Sequence, residues 1–198
     1  MIGDDVVDLA DPEAAEGARH PRFDARVFHP EERAAIARAA DPLAARWACW
    51  AAKEAAFKLA RRLDPAQRFA PHRFRVALAA AGAARVSGAG RRFLVSLVRG
   101  DGALHAVASL EGADGGRALG ALGTRAPAED PGGAARALAL RVLAPLLGAR
   151  AGGLAIAKRE GLPELRLDGA PLAAALSLSH HGRLVSFACW LPASVELA

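Results

Sequence analysis

Trp47-Ala48-Cys49-Trp50-Ala51-Ala52-Lys53-Glu54-Ala55-Ala56-Phe57-Lys58 holds two of the chain's three lysines, against 23 arginines. An ammonium is a compact point charge and a guanidinium a planar fork, so lysine in an arginine-rich chain marks a position that needs the former. Asp41-Pro42 supplies an N-cap followed by proline at the first helical position, and Arg61, Arg62 and Pro65 close the segment, so a helix is expected from Pro42 to about Arg62. Positions three, four and seven apart share a helix face, which puts Glu54 between Trp47 and Trp50 with Phe57, Lys58 and Arg61 beside it. A solvated Glu54–Lys58 pair would be worth about 0.2–0.5 kcal/mol. Solvated faces are not usually bounded by two tryptophans and a phenylalanine, so the face reads as a site.

Outward from this helix, Met1–Leu9 reads as a short strand ending in acids, and six acids (Asp4, Asp5, Asp8, Asp11, Glu13, Glu16) fall in the first 16 residues. Asp5 and Asp8 could meet Glu54 if that strand packs on the helix. Three carboxylates without sulfur or a histidine pair describe a hard-cation site, and Mg²⁺ held by one or two carboxylates plus substrate phosphates is the usual form. Residues three apart on a regular strand point to opposite faces, so Asp8 joins Asp5 only if the strand bends or ends at Val6-Val7. The other reading of the cluster is a set of turn and cap residues.

Residues 10–28 read as irregular, and His29-Pro30-Glu31-Glu32 opens a short helix to about Ala40. Strands are expected at Phe74–Leu78, Arg92–Val98 and Leu104–Leu110, the last two joined at Gly100-Asp101-Gly102. Residues 111–133 read as a linker. Beyond it come a helix at Ala134–Leu147, strands at Leu154–Ala157 and Glu164–Leu167, and a final pair around Ser177–His180 and Leu184–Leu191. The fold class is therefore α+β, with lobes at 1–125 and 126–198 forming one functional unit. Ser177-Leu178-Ser179-His180-His181-Gly182 offers hydroxyls, turn amides and an imidazole, a plausible phosphate clasp, although a lone Ser–His pair is more often a satisfied turn.

Composition bounds the rest. A 198-residue chain of net charge +5 and pI near 10.2 suits an anionic partner, although arginine enrichment in a chain without Asn or Tyr also reads as compositional bias. Aromatic residues are 5% of the chain and form no stacking stripe, which argues against nucleic acid. Cys49 and Cys189 give neither a disulfide framework nor a zinc spacing, and no apolar run approaches about 18 residues, so a cytoplasmic protein without a membrane span is expected.

Three separated motifs then resemble one family. Ile2-Gly3-Asp4-Asp5-Val6-Val7-Asp8 is similar to the Gly-x-Asp-Ile-Val-Glu signature of the 4'-phosphopantetheinyl transferases, Trp50-Ala-Ala-Lys53-Glu54-Ala55-Ala-Phe-Lys58 to their Trp-x-x-Lys-Glu-Ala-x-x-Lys, and Ser177-Leu-Ser179-His180 to their Ser-x-Ser-His. Arg19 to Glu32 resembles the Arg-Phe-x-x-Arg-Val-Phe-x-x-Glu-Glu segment of the acyl carrier protein synthase branch. The resemblance implies Mg²⁺-dependent transfer of the phosphopantetheine arm of coenzyme A to a serine of an apo carrier protein, with release of adenosine 3',5'-bisphosphate. It implies Asp5, Asp8 and Glu54 as metal ligands and Glu54 and Lys58 as catalytic groups, with Glu54 taking the serine proton directly or through water. Ser179, His180, Lys53, Lys158, Arg159 and Arg136 would contact coenzyme A, and Arg22 and Arg26 would dock an acidic carrier.

The family's long members carry Ser-x-Ser-His in the first lobe and the acidic motifs in the second. Here the order is reversed, which implies a monomeric pseudo-dimer with swapped lobes. Gly161-Leu162-Pro163 lacks the lysine of the family's Gly-Lys-Pro, and Asp8 is shorter than the usual glutamate. A degenerate relative that binds coenzyme A or a carrier without turnover is the alternative, and no motif separates fatty acid, polyketide and peptide synthesis.

Overall fold

The computed structural model describes residues 1–79, 82–113, 115–150 and 152–198. Its first lobe is a five-stranded antiparallel sheet of order β1-β5-β4-β3-β2: β1 Ile2–Asp8, β2 Arg75–Ala79, β3 Ala83–Gly88, β4 Arg91–Gly100 and β5 Ala103–Leu110. Short helices α1 (Phe23–Val27) and α2 (Pro30–Arg38) precede the long helix α3 (Pro42–Leu63), which packs on β1 and β5. Asp41 caps α3 by accepting from the Ala44 amide at 3.0 Å, as its sequence predicts.

Alanine decides how close α3 comes to the sheet. Ala51, Ala52, Ala55, Ala56 and Ala60 are buried together with Leu59 and Phe57 in the core that receives Val7, Leu104, Ala106 and Ala108. Small side chains let the helix lie against β1 with almost no clearance. At Gly3 a Cβ would stand 2.2 Å from the Ala55 carbonyl oxygen and 2.8 Å from the Leu59 amide, both backbone atoms. The glycine of the Gly-x-Asp motif is thus the contact that seats the acidic strand on the Glu54 helix.

The second lobe has a three-stranded sheet of order β10-β11-β6 (β6 Gly116–Thr124, β10 Ala175–His181, β11 Leu184–Pro192) under helix α4 (Pro131–Leu146), plus a small sheet β7-β8-β9 (Leu154–Arg159, Leu162–Leu167, Ala170–Pro171). Its core joins Leu138, Leu143, Leu165, Leu176, Phe187 and Leu191. Both lobes repeat one plan: a strand, a helix, intervening strands, then two strands of which the last pairs with the first. The pairing β1–β5–β4 is matched by β6–β11–β10, antiparallel throughout.

Three expectations need correction. Strand β3 was not expected, and residues 10–28 contain α1 and a turn of 3-10 helix at Pro12–Ala14. Residues 111–133 are not a plain linker, because β6 lies within them. Since β6 pairs along its length with β11, residues 116–124, which the boundary at 125 includes in the first lobe, pair with the sheet that follows. Gly3→Ala is expected to destabilise the protein by about 3 kcal/mol, because the added methyl meets backbone that cannot yield; a urea or thermal unfolding midpoint equal to wild type would contradict the zero-clearance packing.

Candidate active site

Strand parity distributes the acids. Residues of β1 with odd numbers face α3, where Val7 joins the α3 core, while Ile2 and Val6 pack against Ala175, Ala188 and Leu184 of the second lobe. Asp5 therefore faces Glu54 and Lys58, whereas Asp4 and Asp8 face β10 and β11. The edge of β1 meets β10 without a backbone ladder. Instead the amides of Asp4, Val6 and Asp8 donate to Ser177 Oγ (3.0 Å), Ser179 Oγ (3.4 Å) and His181 Nδ1 (3.1 Å).

Lys58 sits at this seam. Its Nζ donates to the Asp4 carbonyl at 2.8 Å, to Asp5 Oδ1 at 3.0 Å and to Ser179 Oγ at 3.0 Å, so all three ammonium donors are engaged. Ser179 Oγ in turn donates to Asp5 Oδ1 at 2.9 Å. Burial opposes the charge on Lys58, but Asp5, Asp4 and Glu54 prevail and raise its pKa above the ordinary lysine value. Arg62 of the same helix reaches the Leu176 carbonyl across the seam.

Glu54 lies beside this triangle, and no group among the described residues hydrogen-bonds its carboxylate. Burial, then the neighbouring Asp5 charge, push its pKa from an ordinary 4.5 up to about 7, against the pull of Lys58. A cleft of about 420 Å³ opens here, lined by Asp5, Glu54, Lys58, Ser179 and His180, with Trp50 and Arg19 at its wall. The Arg19 guanidinium lies 5.1 Å from the Trp47 ring centroid and 3.6 Å from Glu13. Once Glu54 ionises, two hard carboxylate donors face one open cleft with a single lysine between them. That donor set suits a divalent cation completed by substrate oxygens. Among the described residues no cluster of three His, Cys, Asp or Glu side chains could hold a metal alone.

A second cleft of about 290 Å³ shares Lys58 and Leu178 with the first and is lined by Arg61, Arg62, Arg136 and Lys158 beside Gly161-Leu162-Pro163. Five cations from α3, α4 and β7 around it give a lining suited to phosphate groups. His180 is exposed. Its pKa falls below the ordinary value, through partial burial first and then through Lys58 and Arg125.

The structure thus brings together Asp5, Glu54, Lys58, Ser179 and His180, and in the adjoining cleft Arg136 and Lys158. Arg22 and Arg26 are exposed on and beside α1. Four assignments change. Asp8 is not beside Asp5: β1 runs straight through it, so its carboxylate points the other way, accepting from the Arg183 amide (3.2 Å) and Nε (3.1 Å) and from the Ala10 amide (3.1 Å).

Lys53 is a core residue that reaches neither cleft. It is wholly buried, 2.7 Å from Glu32 Oε2, and donates to the Phe74 carbonyl at 2.5 Å and the Pro71 carbonyl at 3.1 Å. Glu32 also accepts from the His29 amide (2.8 Å) and the Val76 amide (2.6 Å), tying α2, α3 and β2 into one knot. Arg159 is paired with Glu164 at 3.5 Å and lies outside both linings, so it makes no contact with the phosphate cleft.

Ser179 was expected to grip a phosphate. Its hydroxyl is instead consumed by Asp5, Lys58 and the β1 edge, which makes it a positioning group. Reasoning from sequence gave no role to His181, Arg61, Arg62 or Arg19. Arg61 and Arg62 carried a signal, because they follow Lys58 by three and four positions on one helix face.

Two measurements probe this electrostatics. Between pH 4.5 and about 7 the folded protein keeps a proton on Glu54 that the unfolded chain releases, so Glu54 lowers stability as pH rises through that window. Urea unfolding at about pH 5 and about pH 8 should show wild type losing stability relative to Glu54→Gln; parallel pH profiles would show the carboxyl to be unperturbed. Lys53→Met should cost about 3–5 kcal/mol by leaving Glu32 buried and unpaired, and Lys53→Met with Glu32→Leu should recover much of that in the same assay.

A family model for the 4'-phosphopantetheinyl transferase superfamily matches residues 1–109. No curated protein matches the chain. Among solved structures, the chain is similar to the Thermotoga maritima holo-[acyl-carrier-protein] synthase at 15% identity and a TM-score of 0.43, covering 86% of this chain and 83% of that one. The family match spans more than half of the chain and contains both the strand that presents Asp5 and the helix that presents Glu54 and Lys58, so the chain belongs to the 4'-phosphopantetheinyl transferase superfamily.

Proposed function

We propose that the protein transfers the 4'-phosphopantetheine group of coenzyme A to a serine hydroxyl of an apo carrier protein in a Mg²⁺-dependent reaction, releasing adenosine 3',5'-bisphosphate. The observation that carries this reading is the convergence of Asp5, Glu54 and Lys58 on one cleft that runs, past Lys58, into a cleft walled by Arg61, Arg62, Arg136 and Lys158. Coenzyme A lying along that line would place its diphosphate at Lys58 and its separate ribose 3'-phosphate among the arginines.

Asp5 and Glu54 are the residues that would hold Mg²⁺, with the remaining positions left to diphosphate oxygens and water. When bound, the cation supplies charge compensation and fixes the orientation of the diphosphate. Asp8 is not part of this set. Lys58, fixed from three sides, supplies a positive charge that need not reorganise as charge moves onto the departing phosphate. The carrier serine oxygen forms the new P–O bond as the bond to the adenosine bisphosphate breaks, and its proton leaves to Glu54, directly or through water. Little covalent work is asked of the protein, in keeping with phosphoryl transfer, where positioning and charge dominate.

The repeated strand–helix–strand–strand plan of the two lobes, and the cleft between them, support a single-chain pseudo-dimer in which one lobe presents the acids and the other the Ser-x-Ser-His strand. His180 and Glu54 line one cleft within one chain, so the reading needs no second subunit. Arg22 and Arg26, exposed beside and on α1, support docking of an acidic carrier.

Incubation with coenzyme A, Mg²⁺ and a panel of apo carriers, followed by intact-mass measurement, is expected to show addition of phosphopantetheine. Glu54→Ala and Lys58→Ala should each slow transfer by at least about a hundredfold while leaving the unfolding transition cooperative. Coenzyme A binding without any mass gain across the panel would replace this reading with that of a catalytically silent binding module.

A further inference from the structure

At the far end of the first sheet from Asp5, strands β2, β3 and β4 present a face against which, among the described residues, no strand or helix of the second lobe packs extensively. Cross-strand register builds rows on it: Arg75 opposite Ser87, which is opposite Arg92, and in the next row Ala77, Arg85 and Leu94. All three arginines are exposed, as are Leu94 and Val98. Where the face turns over the β3–β4 hairpin, an open depression of about 580 Å³ is lined by Arg73, Arg75, Arg91 and Arg92 with His29 and His72, and no acid contributes to its lining.

Arg73, Arg75 and Arg91 form no ion pair among the described residues. Glu111 is shared between Arg85 at 3.6 Å and Arg92 at 4.0 Å, and Glu31 and Glu32 line the adjoining depression beside Arg75, Arg85 and Arg92. Like charges gathered on neighbouring strands cost stability, a cost recovered only when an anion arrives. We infer that this face of β2, β3 and β4 is a second docking surface and that its occupant is an acidic polypeptide segment carrying apolar side chains.

Three features select that occupant. The planar guanidinium fork matches carboxylates two oxygens at a time, and arginine is the cation enriched at protein–protein interfaces. Leu94 and Val98, beside the cationic rows, offer apolar surface that a nucleic acid backbone would not use. No aromatic ring lies on the face for bases to stack on, since Phe74 and Phe93 are buried beneath the sheet. A second copy of this chain, itself net positive, would be repelled.

The surface is separate from the transfer site. β3 lies three strands from β1, roughly 14 Å at the spacing of paired strands. The inference stands whether or not the chain transfers phosphopantetheine.

Fluorescence anisotropy with a labelled peptide of alternating Glu and Leu, about ten residues long to span the three strands, tests it. Wild type should bind the peptide. Arg75→Ser with Arg92→Ser should weaken binding at least about tenfold with an unchanged melting midpoint, and Arg38→Ser with Arg150→Ser, at exposed arginines outside the face, should leave it within about twofold. Raising salt from about 50 to 200 mM should weaken but not abolish binding, because the apolar contacts are not screened. No binding by wild type, no loss in the Arg75/Arg92 variant, or equal binding of single-stranded DNA or tripolyphosphate would overturn the inference.

Discussion

An edge strand buried along its whole length must satisfy its outward amides, and β1 does so with side chains of another lobe. Ser177, Ser179 and His181, at every second position of β10, take the amides of Asp4, Val6 and Asp8 in turn. Each such bond is worth only about 0.5–1.5 kcal/mol net, yet leaving a buried amide unmatched would cost more. The pattern therefore fixes register. A slip of one residue would turn Asp5 away from Glu54 and carry Asp4 or Val6 into its place, so the geometry of the cleft is set at the seam between lobes as much as by the helix that lies over it.

The same helix shows how differently two lysines can be used. Lys58 and Lys53 are five positions apart, which rotates them by about 140° around α3. One emerges at the seam among carboxylates and a serine; the other enters the core and meets Glu32. Asp4 extends this polar seam inward. Its buried carboxylate accepts from Ser186 Oγ at 2.6 Å and lies 3.4 Å from His105 Nε2, and its pKa falls below the ordinary value because these contacts and Lys58 outweigh desolvation, the largest single influence.

The strand Ile2–Asp8, the capped helix from Pro42 and the hairpin at Gly100-Asp101-Gly102 were all legible, because alternation, an Asx cap and a Gly-rich turn are local signals. Strands β3 and β6 were not. Gly116-Arg-Ala-Leu-Gly-Ala-Leu-Gly-Thr124 has the composition of a loop and becomes a strand only by pairing with β11, 60 or more residues away in sequence. At the site, Asp5, Glu54 and Lys58 could be placed by periodicity. The opposite facing of Asp8 was also implicit in strand parity, but the family pattern weighed against it, and Arg183, which holds it, lies far along the chain. Lys53 was misplaced for a similar reason: its partner Glu32 sits on another helix, and nothing in the run around Lys53 signals a buried anion.

Only five residues of chain separate the end of β5 at Leu110 from the start of β6 at Gly116, so the two sheets are joined by a tether too short to let them drift apart. Closing a seam under such a tether is an intramolecular event, in which each lobe meets the other at an effective concentration in the millimolar range or above. Most of the entropy of association has already been spent in the covalent chain. A handful of polar contacts, each weak by itself, can then hold the acids and the Ser-x-Ser-His strand in register, where two separate chains would need a wide apolar interface to do the same.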